Sequence, residues 1–586
     1  MSATFAIGID LGTTNSALAA APLGKNAVEK PEVMAVPQVV ATGEVAARPL
    51  LPSFLFVPAD GQFPAGSLRL PWGEAQQLAG AFARSQGSTT PARLISSAKS
   101  WLSYAGADRN GPILPWQAPE EVPKLSPVDV SARYLSHLKA AWDAQHPTAS
   151  LAEQDVVLTV PASFDAVARE LTAAAAQRAG LPANLRLLEE PQAALYAWLA
   201  DKGADWRSEL KVGDTILVCD IGGGTTDFSL IEVRETEGNL ELHRVAVGDH
   251  ILLGGDNMDL ALAYTVRARL ENEGTKLDDW QMRALTYACR AAKETMLGGS
   301  DSDSQPLVVP GRSSKLVGGT ITTALRRAEL ESVLLEGFFP IVDAGARPQA
   351  PRRAGLTTLG LPYASDAAVT RHLAAFLGRD GEQRNPSAIL FNGGVTRSPV
   401  LRDRLHAVLQ SWAKAAGAPA PKVLSGVDPD LAVCRGAAYY ARIVRDGGVR
   451  IRGGTAQAYY VGIERAELAV PGVPPKLDAL CVAPFGMEEG TEATLPTPLG
   501  LIVGEPVAFR FFGSSTRGED KVGEVVDPSE LTELSPIETT FEDANRPAGQ
   551  AVEVRLHARL TELGTLEMEA VADEQRWKLS FDVRVK

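Results

Sequence analysis

The chain has 586 residues, of which 45% are hydrophobic and 22% are charged. This composition is typical of a globular protein and excludes a collagen-like or wholly disordered chain. Its 57 basic and 71 acidic residues give a net charge of -14. That balance argues against nucleic acid as a partner, because nucleic-acid binding needs a basic surface.

Cysteine spacing and hydropathy indicate the compartment. The four cysteines, Cys219, Cys289, Cys434 and Cys481, form no CxxC pair and have no histidine at a ligand spacing. Neither a zinc site nor a disulfide framework is predicted from this pattern. The N-terminus shows no signal peptide, and no run of about 18 apolar residues suggests a membrane span. We therefore predict a cytoplasmic protein that does not bind membranes.

The first predicted element is a β-hairpin. Residues 4–10 form a short apolar strand that ends at Asp10, and residues 16–19 return as a second strand. The turn between them contains Gly12, Thr13, Thr14 and Asn15. Successive backbone amides with little side-chain bulk can hold phosphate oxygens, so the turn is a candidate phosphate site. A tight hairpin without a ligand is the alternative for this motif taken alone.

A second copy of the pattern begins 210 residues later. Residues 214–220 form an apolar strand that ends at Asp220, and residues 228–233 form the return strand. The turn contains Gly222, Gly223, Gly224 and Thr225. The repeat predicts two related lobes whose hairpins hold a triphosphate between them, with Asp10 and Asp220 orienting waters on a phosphate-bound Mg²⁺. The motif is neither a Walker loop nor a Rossmann fingerprint.

Helix and strand signals alternate around the second hairpin. Apolar spacing predicts helices over residues 127–145, 165–180, 258–272, 281–297 and 398–415. It predicts buried strands over residues 155–160 and 387–391. Residues 340–386 are rich in Pro, Gly and Arg and are predicted to be a partly irregular insertion.

The pattern changes beyond residue 445. Residues 446–454 are predicted to be a glycine-rich linker, and residues 455–586 carry 12 basic and 23 acidic residues. Short alternating segments predict an antiparallel β-domain with one solvated face. The predicted strands are residues 458–463, 507–512, 552–560, 565–571 and 577–585.

Motifs spread over about residues 4–443 resemble the nucleotide-binding domain of the 70-kDa heat shock (DnaK-type) chaperone family. They are residues 8–16, 158–164, 189–194, 220–227, 253–256, 392–397 and 428–438. The resemblance implies an α/β, two-lobed, actin-like ATPase domain over residues 1–445 that binds ATP or ADP. For residues 455–586 it implies an all-β, sandwich-like domain that binds unfolded or extended polypeptides. The family's helical lid is not expected, because the sequence stops at Lys586 just after a final strand.

The resemblance also implies residue roles around the phosphates and the metal. Gly12, Thr13, Thr14, Asn15, Gly222, Gly223, Gly224 and Thr225 correspond to the phosphate contacts. Asp10, Glu190, Asp220 and Asp227 correspond to the acidic set around Mg²⁺ and the attacking water, with Asp10 and Asp220 reaching the metal through water. Lys99 aligns with the family's catalytic lysine. The alternatives are a surface lysine for Lys99, a helix cap for Glu190 and a hairpin cap for Asp227.

Further residues correspond to other contacts with the nucleotide, and those at 290–294 and 393–397 correspond to its adenosine side. They are Gly254, Gly255, Arg290, Lys293, Glu294, Gly393, Gly394 and Arg397. Here the acid and the arginine of the family's adenine helix have exchanged places, at Arg290 and Glu294. The two lie four residues apart, so a surface ion pair between them is the alternative to a role in base recognition.

Pro161 and Arg169 correspond to residues that pass the nucleotide signal toward the linker. Their alternatives are a strand stop and a solvated helix charge. The linker lacks the family's acidic and leucine-rich run, so we expect it to offer little for docking.

The leading interpretation is an ATP-dependent chaperone-like protein with a weak, Mg²⁺-dependent ATPase activity. A co-chaperone or a nucleotide exchange factor would be further partners. The alternative is a nucleotide-gated interaction or scaffold protein with one dedicated partner. A sugar kinase or an actin-like filament protein shares the hairpins, but residues 189–194, the adenosine loop and the β-domain disfavour both classes.

Overall fold

The computed structural model is described here over the following parts of the chain. They are residues 3–24, 30–74, 78–104, 106–236, 239–311, 320–350, 361–379, 383–446, 451–452, 455, 457–465, 468, 476–487, 490–514, 517–541, 546–561, 566–572 and 575–579.

The first lobe is built on a mixed sheet whose order is β13-β12-β1-β2-β3, with β6 also paired to β2. Its elements are β1 Phe5–Leu11, β2 Asn15–Pro22, β3 Glu32–Val33, β4 Val36–Ala41, β5 Glu44–Arg48, β6 Leu51–Pro52, β7 Leu55–Phe56, β8 Arg69–Leu70, β9 Gly73–Glu74, β10 Leu78–Ala79, α1 Ala81–Thr89, β11 Leu94–Ile95, α2 Ala98–Leu102, α3 Pro127–Gln145, β12 Asp155–Val160, α4 Ala166–Arg178, β13 Arg186–Glu189, α5 Glu190–Lys202 and α6 Trp206–Glu209. The hairpin β1–β2 is antiparallel, and β12 and β13 continue the sheet in parallel.

The second lobe repeats this arrangement in the order β20-β19-β14-β15-β16-β21. Its elements are β14 Thr215–Ile221, β15 Thr226–Thr236, β16 Asn239–Val247, α7 Gly255–Asn272, α8 Asp279–Leu297, β17 Ser304–Val309, β18 Ile321–Arg326, α9 Arg327–Glu331, α10 Val369–Leu377, β19 Ala388–Asn392, α11 Pro399–Ala415, β20 Lys422–Val423 and β21 Ile451–Arg452. Helix α12 Ala432–Asp446 follows β20 in the chain but packs against β1, β2 and β12 of the first lobe and against α5. The hairpin β14–β15 is antiparallel and β19 pairs in parallel with β14, so the predicted repeat of two hairpin-led lobes is confirmed.

Local sequence signals explain where several helices begin. The Ser126 hydroxyl accepts a hydrogen bond from the Asp129 amide at the start of α3, and the Asp165 carboxylate does the same for Ala168 in α4. The predicted helix over residues 127–145 is confirmed to the residue. The insertion over residues 340–386 is more regular than predicted, because α10 lies within it.

A buried cluster joins the two lobes. Leu195 of α5 and Ala437 of α12 belong to one apolar cluster with Val157 of the first sheet and Val218 and Leu390 of the second. The two helices therefore fill the space between the sheets, and the turns of both hairpins face the same cleft.

Part of the predicted linker is docked on the second lobe. Strand β21 pairs in parallel with β16, with Ile451 opposite Leu242 and Arg452 opposite His243. The Ile451 side chain is buried, and its amide donates a hydrogen bond to the Tyr196 hydroxyl at 2.7 Å. Our expectation that the linker offers little for docking is therefore wrong at these two residues. The glycines at 447, 448, 453 and 454 lie outside the described residues.

The C-terminal region is all-β over its described residues, apart from a short 3₁₀ turn at Pro528–Glu530. Its strands are β22 Ala458–Glu464, β23 Leu477–Ala483, β24 Glu492–Thr494, β25 Leu499–Ile502, β26 Pro506–Ser514, β27 Val525–Val526, β28 Thr532–Thr540, β29 Ala551–Leu560, β30 Leu566–Ala572 and β31 Gln575–Leu579. One antiparallel sheet runs β27-β23-β22-β26-β28, and the other runs β24-β29-β30-β31 with β25 paired to β29. The predicted antiparallel β-domain is confirmed. The last predicted strand is described only as far as Leu579.

The β-domain packs against the first lobe. Tyr459 and Val461 of β22 belong to the same buried apolar cluster as Phe164 and Leu171 of the first lobe. The region beyond the linker is therefore in direct contact with the two-lobed part of the chain.

All four cysteines are buried free thiols. Across the described residues, no helix combines the length and the apolar character needed to cross a membrane.

Candidate functional site

A cavity of about 580 Å³ lies between the two lobes. Both hairpins, the start of α5, helices α7 and α8 and the loop after β19 contribute to its wall. The predicted residues that line it are Asp10, Gly12, Thr13, Thr14, Asn15, Lys99, Glu190, Asp220, Gly222, Gly223, Thr225, Gly255, Arg290, Lys293, Glu294, Gly393, Gly394 and Arg397. Gly224, Asp227 and Gly254 are not among the residues that line it, although Asp227 is close enough to Lys99 and Glu190 to influence their pKa values.

The two glycine-rich turns touch each other across the cleft. A Cβ atom on Gly223 would stand 1.9 Å from Oγ1 of Thr14, and one on Gly224 would stand 2.6 Å from Cγ2 of Thr13. Only glycine permits this approach, because real Cβ atoms do not come so close to other atoms. The Thr14 hydroxyl is buried without a hydrogen-bond partner. A phosphate oxygen at the meeting point of the turns would give that hydroxyl an acceptor.

Gly254 and Gly255 support the second turn from behind. The amide of Gly255 donates to the carbonyl of Gly222 at 3.0 Å, and the amide of Asp256 donates to that of Gly223 at 2.7 Å. These bonds fix the start of α7 against the turn. A Cβ on Gly254 would stand 2.6 Å from the carbonyl oxygens of Gly222 and Gly223, so Gly254 packs directly against the second turn.

Lys99 is a buried residue and not a surface lysine. It lies on the short helix α2, and its ammonium group contacts the carboxylate of Glu190, with exposed side-chain fractions of 7% and 13%. Burial lowers the pKa of Lys99, but Glu190 and Asp10 outweigh this effect and raise it. Lys99 is therefore a fixed positive charge among carboxylates in the cavity.

The carboxylates at the ends of β1 and β14 are held close to one another. Burial and the charge of Glu190 raise the pKa of Asp10 to about 7, while Lys99 opposes the shift. Burial and Glu190 also raise the pKa of Asp220 well above its usual value, although the amide of Asn392 donates to it at 2.7 Å. Crowded, partly neutralised carboxylates of this kind favour a bound cation.

Asp227 lies on β15, the return strand of the second hairpin, and its carboxylate accepts a side-chain hydrogen bond. The Ser163 hydroxyl donates to its carboxylate at 2.6 Å, and Nδ1 of His250 lies 2.8 Å from the same hydroxyl. Burial raises the pKa of Asp227, but His250 and Ser163 outweigh burial and lower it. The carboxylate is thus kept ionised, which suits a group that would orient a water molecule.

Arg290 is anchored by aspartates of the neighbouring helix. Its guanidinium contacts Asp256 and donates from Nε to Asp259 at 2.5 Å, and it lies 5.9 Å from the centre of the Phe54 ring. Lys293 reaches the other oxygen of Asp259 at 2.7 Å. An immobile guanidinium at the cavity wall can present its flat face to a base.

Glu294 pairs with Arg84 on α1 of the first lobe, at 3.3 Å, and so spans the cleft. The alternative prediction, a surface ion pair between Arg290 and Glu294, is not found among the ion pairs of the described residues. Arg290 pairs instead with Asp259, and Glu294 pairs with Arg84.

The loop after β19 forms the remaining wall of the cavity. Gly393 has φ of 83°, and a Cβ there would stand 2.4 Å from the carbonyl of Ile221, so this position requires glycine. Arg397 pairs with Asp430 at 2.7 Å, and its side chain is 62% exposed. The Asn392 Oδ1 atom is buried without a hydrogen-bond partner.

The sequence motifs did not single out several residues of the site. These are Arg84, Asp256, Asp259, Asn392, Asp430 and His250. Asp256, Asn392 and Asp430 fall inside motifs that match the family. Their position in those motifs could therefore have identified them as candidate site residues. Arg84 and His250 had no such signal, because their contacts join distant parts of the chain.

The chain resembles known proteins over most of its length. A family model described as "Hsp70 protein" matches residues 75–342. A "Chaperone protein HscA homolog" of Bordetella pertussis is 32% identical over 450 residues, which cover 75% of this chain and 58% of that protein. The corresponding protein of Ralstonia nicotianae is 31% identical over 451 residues, with the same two shares. "Chaperone protein HscA" of Salmonella paratyphi C is 28% identical over 448 residues, again 75% of this chain and 58% of the relative.

These matches show that the chain belongs to the Hsp70-type family. The chain spans 58% of the length of each of these three relatives.

Proposed function

We propose that this protein is an ATP-dependent, chaperone-like ATPase with an actin-like fold that closes over the nucleotide. The observation that carries the proposal is the contact between the two glycine-rich turns at Thr14 and Gly223, beside the Lys99–Glu190 ion pair and within one cavity. Such a site presents backbone amides and hydroxyls to phosphates from both sides, and a buried cation next to them.

Each group has a proposed task. The two turns bind the phosphates, and Arg290, with the loop at Gly393, bounds the nucleoside side. Lys99 stabilises negative charge on the transferred phosphoryl group, and Asp227 and Glu190 orient the attacking water. A helix cap at Glu190 and a hairpin cap at Asp227, the alternatives for these two carboxylates, are compatible with such roles.

Mg²⁺ fits this donor set. No group of three or more His, Cys, Asp or Glu side chains within the described ranges is arranged to hold a metal ion by itself. Asp10 and Asp220 would instead hold the ion through its waters, because their two carboxylates line the same cavity beside both glycine-rich turns, and oxygen donors of this kind suit Mg²⁺. When bound, the ion supplies charge neutralisation at the phosphates.

The β-domain is the proposed site for unfolded or extended polypeptide segments. A peptide would add to a strand edge, where main-chain hydrogen bonds give affinity and side-chain pockets give selectivity. The chaperone names of the relatives support this assignment, which remains a proposal for this chain.

ATPase stimulation by peptides tests the proposal. A panel of unfolded peptides is added to the protein at saturating ATP and Mg²⁺, and phosphate release is compared with that of Lys99→Ala. We expect several unrelated apolar peptides to raise turnover in the parent but not in the variant. Stimulation by none of them would favour the nucleotide-gated scaffold with one dedicated partner.

A further inference from the structure

Three side chains from separate parts of the sequence form a connected set of hydrogen bonds next to the cavity. Ser163 lies in the loop between β12 and α4, Asp227 is the second residue of β15, and His250 lies between β16 and α7. The Ser163 hydroxyl donates to Oδ1 of Asp227 at 2.6 Å. Nδ1 of His250 lies 2.8 Å from the same hydroxyl and 3.4 Å from the same carboxylate oxygen. We call these three residues the His250 network.

The direction of each hydrogen bond in the His250 network follows from the protons available. Although burial opposes it, contacts with His250 and Ser163 lower the pKa of Asp227, so its carboxylate is ionised and can only accept. A serine hydroxyl has one proton, and at 2.6 Å from an ionised carboxylate oxygen that proton lies between the two oxygens. The Ser163 oxygen is then an acceptor toward the imidazole, so Nδ1 carries a proton. His250 therefore donates to Ser163, which donates to Asp227.

The imidazole of His250 is fixed in place and makes its polar contacts in one direction. Its ring packs in a T-shaped arrangement on Phe164, with ring centres 5.7 Å apart, and its side chain is 16% exposed. The carbonyl of the next residue, Ile251, accepts a hydrogen bond from the amide of Thr226 at 2.9 Å, which fastens this segment beside the strand that carries Asp227. Nε2 of His250 is buried without a hydrogen-bond partner in the described part of the chain. The hydrogen bonds of the ring among the described residues are therefore those within the network.

The network occupies one oxygen of Asp227 and leaves the other. Both contacts reach Oδ1, and within the described ranges Oδ2 accepts no hydrogen bond. The carboxylate influences the pKa of Lys99 and of Glu190, so it lies close to the ion pair of the cavity. A carboxylate that is held through one oxygen cannot rotate freely, and its second oxygen keeps a defined position for a water molecule.

We propose that His250 is a positioning residue for ATP hydrolysis: through the Ser163 hydroxyl it holds Oδ1 of Asp227, so that Oδ2 is left to orient the attacking water. The proposal rests on the proposed function, because that water is the nucleophile of the proposed reaction. His250 and Ser163 contact Asp227 and are not among the residues that line the cavity, so they act on turnover rather than on ATP affinity.

Substitutions at residues 250 and 163 separate the hydrogen bonds from the shape of the side chains. His250→Leu retains a side chain of similar volume and removes the donor. His250→Asn supplies an amide N–H in place of Nδ1–H and does not titrate. Ser163→Ala removes the hydroxyl between the imidazole and the carboxylate. His406→Leu is the matched control, because His406 lies on α11 with its Nε2 at 2.9 Å from the carbonyl of Pro421.

Single-turnover hydrolysis of ATP in the presence of Mg²⁺ measures the step in question, and calorimetry measures ATP affinity, both in the full chain. We expect His250→Leu and Ser163→Ala each to slow hydrolysis by about tenfold to 100-fold, because the water loses its fixed acceptor. ATP affinity should stay within about threefold of the parent in both variants. His250→Asn should hydrolyse ATP within about threefold of the parental rate, and His406→Leu at the parental rate.

The double variant with Ser163→Ala and His250→Leu tests whether the two residues act in series. If they do, it will be no slower than Ser163→Ala alone, because the imidazole reaches the carboxylate mainly through the hydroxyl. Losses that add in the double variant would overturn the proposal, because they would show two independent structural effects.

Two further results would also overturn the proposal. They are an unchanged hydrolysis rate in His250→Leu, and a loss in His250→Leu that is equally large in His250→Asn. If His250→Leu does not fold, Ser163→Ala decides the matter, and parental turnover in that variant would contradict the role of the network. A parent that binds no ATP would instead contradict the proposed function, on which the role of His250 depends.

Discussion

Lys99 and Glu190 form an ion pair inside the inter-lobe cavity, although they are 91 residues apart in the chain. The pair places a cation next to the two glycine-rich turns. It also accounts for much of the charge balance among the buried carboxylates, because Lys99 opposes the raised pKa of both Asp10 and Glu190.

Replacing this lysine should separate binding from turnover. In Lys99→Ala we expect ATP affinity to stay within about threefold of the parent, because the turns supply most phosphate contacts. Turnover should fall by about 100-fold or more, since charge developing on the phosphoryl group loses its cation. Calorimetry and single-turnover phosphate release measure the two effects, and Lys139→Ala, which removes a surface pair with Asp143, is the control. Equal turnover in Lys99→Ala and the parent would show that Lys99 has no catalytic role.

The contact between the two turns gives a steric prediction. Gly223→Ala places a Cβ 1.9 Å from Oγ1 of Thr14, so either the Thr14 side chain or one of the turns must shift. We expect ATP affinity to fall by about tenfold or more. Gly345→Ala is the control, because a Cβ there meets nothing within 4 Å. Unchanged ATP affinity in Gly223→Ala would mean that the turns do not act together on the phosphates.

The nucleoside side gives a comparison between two residues of α8. Arg290→Ala leaves the largely buried carboxylate of Asp259 with Lys293 alone and should cost about 3 kcal/mol of stability, whereas Glu294→Ala removes a half-exposed pair and should cost less than about 1 kcal/mol. If Arg290 also covers the base, ATP affinity will fall far more in Arg290→Ala than in Glu294→Ala. Denaturant unfolding and ATP titration of both variants separate the two effects. Equal ATP affinity in the two variants would remove Arg290 from base recognition.

His137 predicts part of the acid sensitivity of the fold. It is buried against the edge of Trp72, with Nε2 at 2.8 Å from the carbonyl of Pro37, and burial lowers its pKa from 6.5 to about 4. The unfolded chain takes up this proton near pH 6.5 and the native state only near pH 4, so the free energy of unfolding falls as the pH drops through that window. The loss is at most about 3 kcal/mol.

His137→Gln tests this assignment, because the amide can keep the hydrogen bond to Pro37 without titrating. The slope of unfolding free energy against pH between 6.5 and 4 should become flatter than in the parent. A slope identical to that of the parent would show that other groups cause the acid sensitivity.

The sequence predicted the elements that depend on short-range residue patterns. The two hairpins, helix α3 and most strands of the β-domain follow from apolar spacing and turn residues, and Asp10 and Asp220 were placed correctly at strand ends. Partners from other elements were not predictable. The pairing of Arg290 with Asp259, and of Arg84 with Glu294 across the cleft, depends on how helices are placed by tertiary packing.

The linker shows the same limit most clearly. Its glycine-rich composition predicted a free tether, yet Ile451 and Arg452 form an edge strand on β16. The short segment Val-Arg-Ile-Arg has the β-branched residues of a strand, but the exposed edge that it completes lies some 200 residues earlier in the sequence. Such long-range pairing cannot be read from local composition.

Titration of the full-length protein with ATP in a calorimeter, with and without Mg²⁺, tests the central claim most directly. If the two hairpin turns and the acidic set form a nucleotide site, one ATP will bind per chain and chelation of Mg²⁺ will weaken that binding. The absence of any heat of binding with ATP and Mg²⁺ present would contradict the account, because the cavity between the lobes would then not be a nucleotide site.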